Sequence, residues 1–396
     1  MSKSVEMSNT LLLLDLEDRY FLSHRRALAL AARDAGYRVV VCVRIGGKYM
    51  ERIRAEGFEC LALENENRRK ISLFREWLDL LKLIRAYRKH KPHIAHHLGV
   101  RNLLHGTLAA RLAKTPFVVN SFLGQGSLFS EKSLKFRCLK KIVLSMLRYL
   151  HRRKNTRVIV QNDSDKEMVL QNVLPDESRL SVVRGSGVNV LSFLPAPEPP
   201  GTPLAVLASR MLDEKGVYEF VEAAVLLKEE GIRIRMVLVG SPDPKNPSSI
   251  PESTLSRWHR EARIEWWGYR EDMAEVWRSS HIAVLPTYYK EGLPRSLLEA
   301  AACARPLVAT DVPGCRDILK DRVNGLSVVP RDAKSLADAI GKLAQNSNLR
   351  RRMGEAGRRI VEQEFSDKIV TEKILELYER MGGAEVKPGK NQAQLT

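Results

Sequence analysis

The stretch "IAVLPTYYKEGLPRSLLEAAACARPLVATD", residues 282–311, decides the fold. It opens with a short apolar run, passes through a polar loop holding Gly292 and Pro294, and continues as an alanine-rich helix. It ends in a second apolar run, "PLVATD". Strand, helix, strand in so few residues is a parallel crossover unit. Ligands of such sheets bind at the carboxyl ends of the strands, where Glu291 falls. Pro294 suits the first turn of the helix, and Glu299 follows about a turn and a half later. The amides of Gly292, Leu293 and Arg295 would then form an electropositive seat for an anion. Two carboxylates beside that seat suit a ligand with hydroxyls and a phosphate. The same glutamates could instead only stabilise a helix start.

The rhythm repeats in both directions. Upstream run "NTLLLLDL", "SHRRALALAARDAGY" (one helix), "RVVVCV", "REWLDLLKLIRAYRKH", "PHIAHHL", "LLHGTLAARLAKT", "PFVVNSF" and "RVIVQ". After "PAPEPPGTP" (195–203) it restarts with "LAVLAS", "YEFVEAAVLLKEEG" and "RMVLVG". Alternation of this kind specifies an α/β fold with doubly wound parallel sheets. The proline-rich stretch is the expected hinge. It divides the chain into a Rossmann-like domain over 1–196 and a second over 197–381, facing across a cleft. The final helix could pack back on the first domain, and 382–396 is expected to be a disordered tail.

Formal charge is +18, from 65 Lys and Arg against 47 Asp and Glu, so anionic partners are expected. No helix-turn-helix, zinc finger or aromatic platform supports nucleic acid. The five cysteines show no paired spacing and read as free thiols in a reducing compartment. No apolar run approaches the roughly 20 residues of a membrane span. A soluble intracellular protein is expected, able to touch a membrane without crossing it.

"ASRMLDEKGVYEF" (208–220) places Arg210 and Lys215 on another strand-end loop. Together they could grip a diphosphate, Arg as a fork and Lys as a point charge, or be plain surface cations. His93, His96 and His97 lie on one strand, which splays neighbours to opposite faces and argues against a metal. "DSD" (163–165) reads as helix capping rather than a metal site. Residues 131–157 carry ten cations, Lys132, Lys135, Arg137, Lys140, Lys141, Arg148, Arg152, Arg153, Lys154 and Arg157, against one acid, Glu131. Within them Leu139, Ile142, Val143, Met146, Leu147 and Leu150 recur at helical spacing, expected to pack into the core. Lys141, Arg148 and Arg152 lie opposite, a face suited to an anionic leaflet.

These pieces together resemble glycosyltransferase family 4, the retaining group with the GT-B fold. "EGLPRSLLEA" resembles its E-x7-E motif, "SRMLDEKGVYEFVEAA" its R-x4-K segment, and "VVRGSGVNVLSF" the stretch before its hinge. "PHIAHHLGVRNLLHGTLAARLAKTPFVVNSFLGQG" resembles the first domain of the branch that extends acetamido-sugar primers on polyprenyl carriers. The resemblance implies that Glu291 binds donor-sugar hydroxyls and Glu299 the ribose diol. It implies that Arg210 and Lys215 hold the diphosphate, with Glu291, Arg210 and Lys215 as the catalytic set. Gly292, Leu293 and Pro294 would line the sugar, and Tyr269 and Arg270 would meet the base. Gly124, Gly126 and His96 would belong to the substrate-binding wall of the first domain. Arg137, Lys141, Arg148 and Arg152 would face the membrane.

The implied activity moves a hexose or N-acetylhexosamine from a nucleoside diphosphate sugar, UDP by preference, to a polyprenyl-diphosphate-linked saccharide. It would need neither metal nor cofactor and would occur in the cytoplasm, peripherally on the inner face of the membrane. A soluble or lipopolysaccharide-core acceptor, or a sugar-nucleotide epimerase of the same architecture, are the alternatives. Three departures stand out. The first strand-to-helix loop, "DLEDRYFLSHRR", lacks the family's glycine pair. Ser121 and Phe122 occupy a region where relatives carry a histidine. Asn189 replaces a common aspartate.

Overall fold

A computed structural model describes residues 9–65, 73–123, 134–244, 246–288 and 292–382. The chain groups into two compact units, Met1–Ser186 with Val370–Thr396, and Gly187–Ile369.

Unit 1 holds seven strands: β1 (Thr10–Glu17), β2 (Arg38–Gly46), β3 (Glu59–Asn65), β4 (Ile94–Leu98), β5 (Phe117–Ser121), β6 (Thr156–Val160) and β7 (Leu180–Val182). All pair in parallel, in the order β3-β2-β1-β4-β5-β6-β7. β1 is a nearly continuous apolar run because both of its faces are covered. Leu11 and Leu13 face the core shared with helix Asp367–Arg380, whereas Leu12 and Leu14 face the one shared with helices Leu73–His90 and Val100–Leu112. The sequence reading missed β3, whose "ECLALEN" mixes charge into the strand. It also took 15–26 as a loop, where helix Asp18–His24 forms; buried Arg25, at φ −125°, ψ −10°, separates it from helix Arg26–Asp34, so the helix expected from Ser23 starts at Arg26.

Unit 2 holds six strands: β8 (Leu204–Ala208), β9 (Arg235–Val239), β10 (Glu265–Trp266), β11 (Ile282–Leu285), β12 (Leu307–Thr310) and β13 (Gly325–Val328). They are parallel, in the order β10-β9-β8-β11-β12-β13. The strand order reverses direction at β8 and β11, which are neighbours, and loops leaving a sheet at such a switch point diverge to leave room for a ligand.

The stretch 195–203, expected as the hinge, lies within unit 2. Three buried side chains strap it there. Arg305 donates to the carbonyl oxygen of Ala196 at 3.0 Å, His281 Nε2 meets that of Pro199 at 3.0 Å, and Arg350 forks onto Glu198 at 2.8 and 2.7 Å. The division between units falls at Ser186/Gly187 and again at Ile369/Val370. Within unit 2, Val188 N donates to Phe365 O and Asp367 N to Val188 O, both at 3.0 Å. Asn189 accepts from the amides of Leu191 and Ser192, so its side chain closes a turn.

Candidate functional site

The loop after β8 carries Arg210 and Lys215. Met211 N donates to Ser241 O, and Asp213 N to Ser248 O, which ties this loop to the one leaving β9. Arg210 is exposed and pairs with Asp243 at 2.9 Å. Lys215 ends a single 3₁₀ turn, Asp213–Lys215, and is half-buried. Gly216 follows at φ +73° and starts helix Val217–Glu229.

A Cβ at Gly216 would lie 2.2 Å from the carbonyl oxygen of Pro286, on the loop after β11. The two motif loops are also bonded directly. Thr287 Oγ1 donates to Glu214 O at 2.9 Å, and Tyr288 N to the same oxygen at 3.1 Å. The Arg331 guanidinium sits 4.2 Å from the centre of the Tyr288 ring, and burial pushes the Tyr288 hydroxyl well up, assisted by Asp213. Gly216→Ala, which combines this clash with a left-handed backbone, is expected to cost about 2–3 kcal/mol. A shift in the urea midpoint with unchanged slope would measure it.

Glu291, with Tyr289 and Lys290, lies outside the described residues, as do Gly124 and Gly126. Gly292 and Leu293 are half-buried and Pro294 is buried. Pro294 precedes the helix rather than occupying its first turn: its ψ of 115° is extended, and the helix runs Arg295–Ala302. Extended geometry relieves a proline of helical constraints and leaves the helix amides free to begin at Arg295. Glu299 is 7 % exposed. One carboxylate oxygen accepts from Arg295 Nε at 2.6 Å and the other from Trp277 Nε1 at 3.4 Å. Each oxygen keeps a second acceptor position.

Tyr269 is exposed and Arg270 half-exposed, on the turn after β10. Arg270 pairs with Asp272 at 2.5 Å and lies over the Trp267 ring at 5.9 Å. Gly240 N bonds to Gly268 O at 2.7 Å and Trp266 Nε1 to Gly240 O at 2.9 Å, which holds that turn against the end of β9. Unit 2 therefore gathers Arg210, Lys215, Glu299, Tyr269 and Arg270 on loops or helix starts at the carboxyl edge of its sheet.

The other assignments divide. His96 is fully buried rather than on a wall: Nδ1 meets Tyr378 Oη and Nε2 meets Ser121 Oγ, both at 2.6 Å. His97 turns to the opposite face, between Tyr87 Oη and Asn120 Oδ1 at 2.7 Å each. Asp163 and Asp165 occupy the first turn of helix Asp163–Asn172, and the cap is Asn162, which accepts from Asp165 N at 2.7 Å.

Helix Leu134–Leu150 differs from its expected packing. Leu144, Leu147 and Leu150 are buried, but Leu139, Ile142 and Met146 are 47, 57 and 43 % exposed. The wheel is wide enough for two apolar stripes, and only one meets the core. Lys141, Arg148 and Arg152 are exposed as expected, and the Arg137 side chain lies outside the described residues.

One residue that the sequence reading passed over is Asp15, at the carboxyl end of β1, where unit 1 has its own switch point. It is fully buried, its Oδ2 accepts no hydrogen bond, and burial pushes its pKa up to about 6. Asp18, nearby in sequence, accepts from the amides of Gly47 and Tyr49 at 2.7 and 3.1 Å. These carboxylates stand where a glycine pair was expected. The signal was an aspartate set among the leucines of β1.

The comparisons with known proteins bear on the family and the fold. The profile described as "Glycosyl transferases group 1" matches residues 195–360, and "Glycosyl transferase 4-like" matches 10–162. Two parallel-sheet units with motif loops at a switch point, together with these matches, define a glycosyltransferase of GT-B fold. The chain belongs to glycosyltransferase family 4.

It is 28% identical over 289 residues, 70% of this chain and 74% of the other, to the N,N'-diacetylbacillosaminyl-diphospho-undecaprenol alpha-1,3-N-acetylgalactosaminyltransferase of Campylobacter jejuni. It is 25% identical, over 71% of this chain and 74% of the other, to the UDP-Gal:alpha-D-GlcNAc-diphosphoundecaprenol alpha-1,3-galactosyltransferase of Escherichia coli. Among solved structures, Anabaena Alr3699/HepE in complex with UDP shares the fold, with a TM-score of 0.74 at 17% identity, covering 94% of this chain and 100% of that one.

Proposed function

We propose that this enzyme transfers a hexose or N-acetylhexosamine from a UDP-sugar to a saccharide carried on polyprenyl diphosphate, with retention and without a divalent cation. The observation that carries the reading is the bonded pair of loops at the β8/β11 switch point. Glu214 O receives both Thr287 Oγ1 and Tyr288 N, so the loop of Arg210 and Lys215 and the loop leading to Glu291 are held as one piece. A diphosphate there meets two cations, while a ribose diol meets Glu299 and sugar hydroxyls meet Glu291. The names of the two bacterial relatives supply the acceptor class.

In the reaction, the bond from the sugar's anomeric carbon to the diphosphate breaks. A bond to the acceptor oxygen forms on the same face. The acceptor's proton passes to a leaving phosphate oxygen, and Arg210 and Lys215 stabilise the charge that collects there.

The setting is the cytoplasmic face of an anionic membrane. The half-solvated helix Leu134–Leu150, with Leu139, Ile142 and Met146 exposed beside Lys141, Arg148 and Arg152, supports it. Among the described residues no helix is long and apolar enough to cross a membrane.

UDP at about 100 times its dissociation constant is expected to stabilise the folded chain by about 2.7 kcal/mol, seen as a rise in melting temperature. Arg210→Ala should shrink that rise. Incubation with UDP-sugar and polyprenyl-diphosphate-linked acceptor should yield a lengthened glycan. Isomerised donor without acceptor would instead identify an epimerase, and no UDP-dependent rise would overturn the donor assignment.

A further inference from the structure

Helices Val100–Leu112 and Leu134–Leu150 both end at the amino-terminal edge of the unit 1 sheet, because β5 and β6 begin just after them. Between those ends lies a cavity of about 410 Å³, lined by Arg111, Lys114, Tyr149, Arg152 and Arg153. All five of these residues belong to unit 1. The guanidiniums of Arg111 and Arg152 lie 5.0 and 5.8 Å from the centre of the Tyr149 ring. Arg111 Nη2 also donates to Tyr149 Oη at 3.4 Å.

Among the described residues, none of the four cations is paired with a carboxylate. Helix C-termini favour cations, but that attraction fades beyond the last turn, and Lys114, Arg152 and Arg153 come from the loops beyond. Like charges around one cavity repel, and an anion between them would relieve this. The floor is built in advance: Arg179 Nη2 donates to the carbonyl oxygens of His151, Arg153 and Thr156 at 2.7, 2.6 and 3.0 Å, which fixes the loop carrying Arg152 and Arg153.

The rim is apolar. Leu112 and Tyr149 are half-exposed at the helix ends, and the exposed stripe of Met146, Ile142 and Leu139 leads away from them along the same helix. A free anion has no use for such a rim. An amphiphile does, with its phosphate among the cations and its first acyl carbons on the stripe. We infer that this cavity is a receptor for the headgroup phosphate of an anionic phospholipid, at the end of the membrane-facing helix. The inference rests on the membrane-facing reading above and adds to it a discrete site.

The test uses the full chain and two ligand forms. One is short-chain dihexanoyl phosphatidylglycerol below its micelle concentration, followed by calorimetry. The other is vesicles of phosphatidylglycerol and phosphatidylcholine, followed by co-sedimentation. The triple variant R111A/K114A/R153A should lose calorimetric binding of the monomeric lipid. Its partitioning onto anionic vesicles should fall by roughly 100-fold, at about a tenfold or less loss per cation. Its circular dichroism and its UDP-induced melting shift should stay unchanged. I142E/M146E should lose the vesicles and weaken the monomeric lipid without abolishing its binding, because the cations that hold the phosphate remain.

Monomeric lipid binding that survives the triple variant would overturn the receptor while leaving the membrane-facing helix standing. No partitioning of the wild type onto anionic vesicles would overturn both. Inorganic phosphate displacing the lipid at equal concentration would identify the ligand as a free anion and overturn the phospholipid.

Discussion

Lys215→Ala is expected to lower sugar transfer by about 10²–10³-fold, the usual loss when one preorganised donor of charge stabilisation is removed. The position explains the size. Lys215 closes a 3₁₀ turn whose next residue, Gly216, is pressed against Pro286, so the backbone that aims the ammonium cannot drift. The variant should also bind UDP more weakly, because in the proposed site the ammonium would meet the diphosphate in the ground state as well. Its urea midpoint should hardly move, since the side chain is half-buried and belongs to no packed core. Lys215→Arg should rescue poorly, as a planar fork does not occupy the place of a point charge. Glu291→Ala offers the contrast: transfer should be lost while UDP binding persists, because that carboxylate is assigned to the sugar alone. Steady-state kinetics with calorimetric UDP titration separates the two. Wild-type kcat/KM in either variant would remove that residue from the site.

Acidification is expected to loosen unit 1 well before unit 2. Burial holds His97 and His151 down to about pKa 4, and His96 well below its ordinary value. The unfolded chain would bind these protons near pH 6.5. Their contribution to stability is therefore complete above pH 6.5 and is lost as pH falls towards 4. Each of His97 and His151 accounts for about 3 kcal/mol across that window, at about 1.4 kcal/mol per pH unit.

Asp15 acts in the opposite sense. Its folded pKa of about 6 lies above the ordinary 3.8, so its contribution is present at low pH and fades as pH rises through 6. Asp79, also pushed up to about 6 chiefly by burial, acts the same way, but burial lowers His105 to about 4 and His90 as well, so the histidines prevail. In unit 2, His281 is likewise lowered chiefly by burial, but it stands alone against the several histidines of unit 1. Hydrogen exchange read by mass spectrometry, corrected for intrinsic rates, should show protection falling between pH 7 and 5 across 94–121 and 147–160. The strands of unit 2 should stay protected. A uniform loss in both units, or none, would contradict this account.

The alternation of strands and helices was legible because parallel strands buried on both faces read as plain apolar runs. "LAVLAS", "RMVLVG" and "IAVLPT" each mark a strand within a residue or two of its ends. The strap on 195–203 was not legible. A proline-rich run looks like a hinge until Arg305 and Arg350, more than a hundred residues later, are seen to hold it. Leu139, Ile142 and Met146 show the same limit. Helical spacing says which residues share a face, but not whether a partner covers that face. In the site, Arg210, Lys215 and Glu299 could be named from motif spacing. The link through Glu214 O could not, because it depends on a backbone carbonyl. Asp15 was hidden within an apolar run, between Leu14 and Leu16.

Unit 1 is assembled from two distant parts of the chain, its bulk up to Ser186 and the helix whose Val370, Ile374, Leu377 and Tyr378 enter its core. On the ribosome this has an ordering effect. The stretch up to Ser186 emerges first but cannot complete its core until the helix Asp367–Arg380 has been made, whereas unit 2 is contiguous and can close beforehand. Premature termination anywhere ahead of Val370 would thus release a nascent chain whose later-made half is finished and whose earlier-made half is left open, with β4 lacking the tyrosine that receives His96.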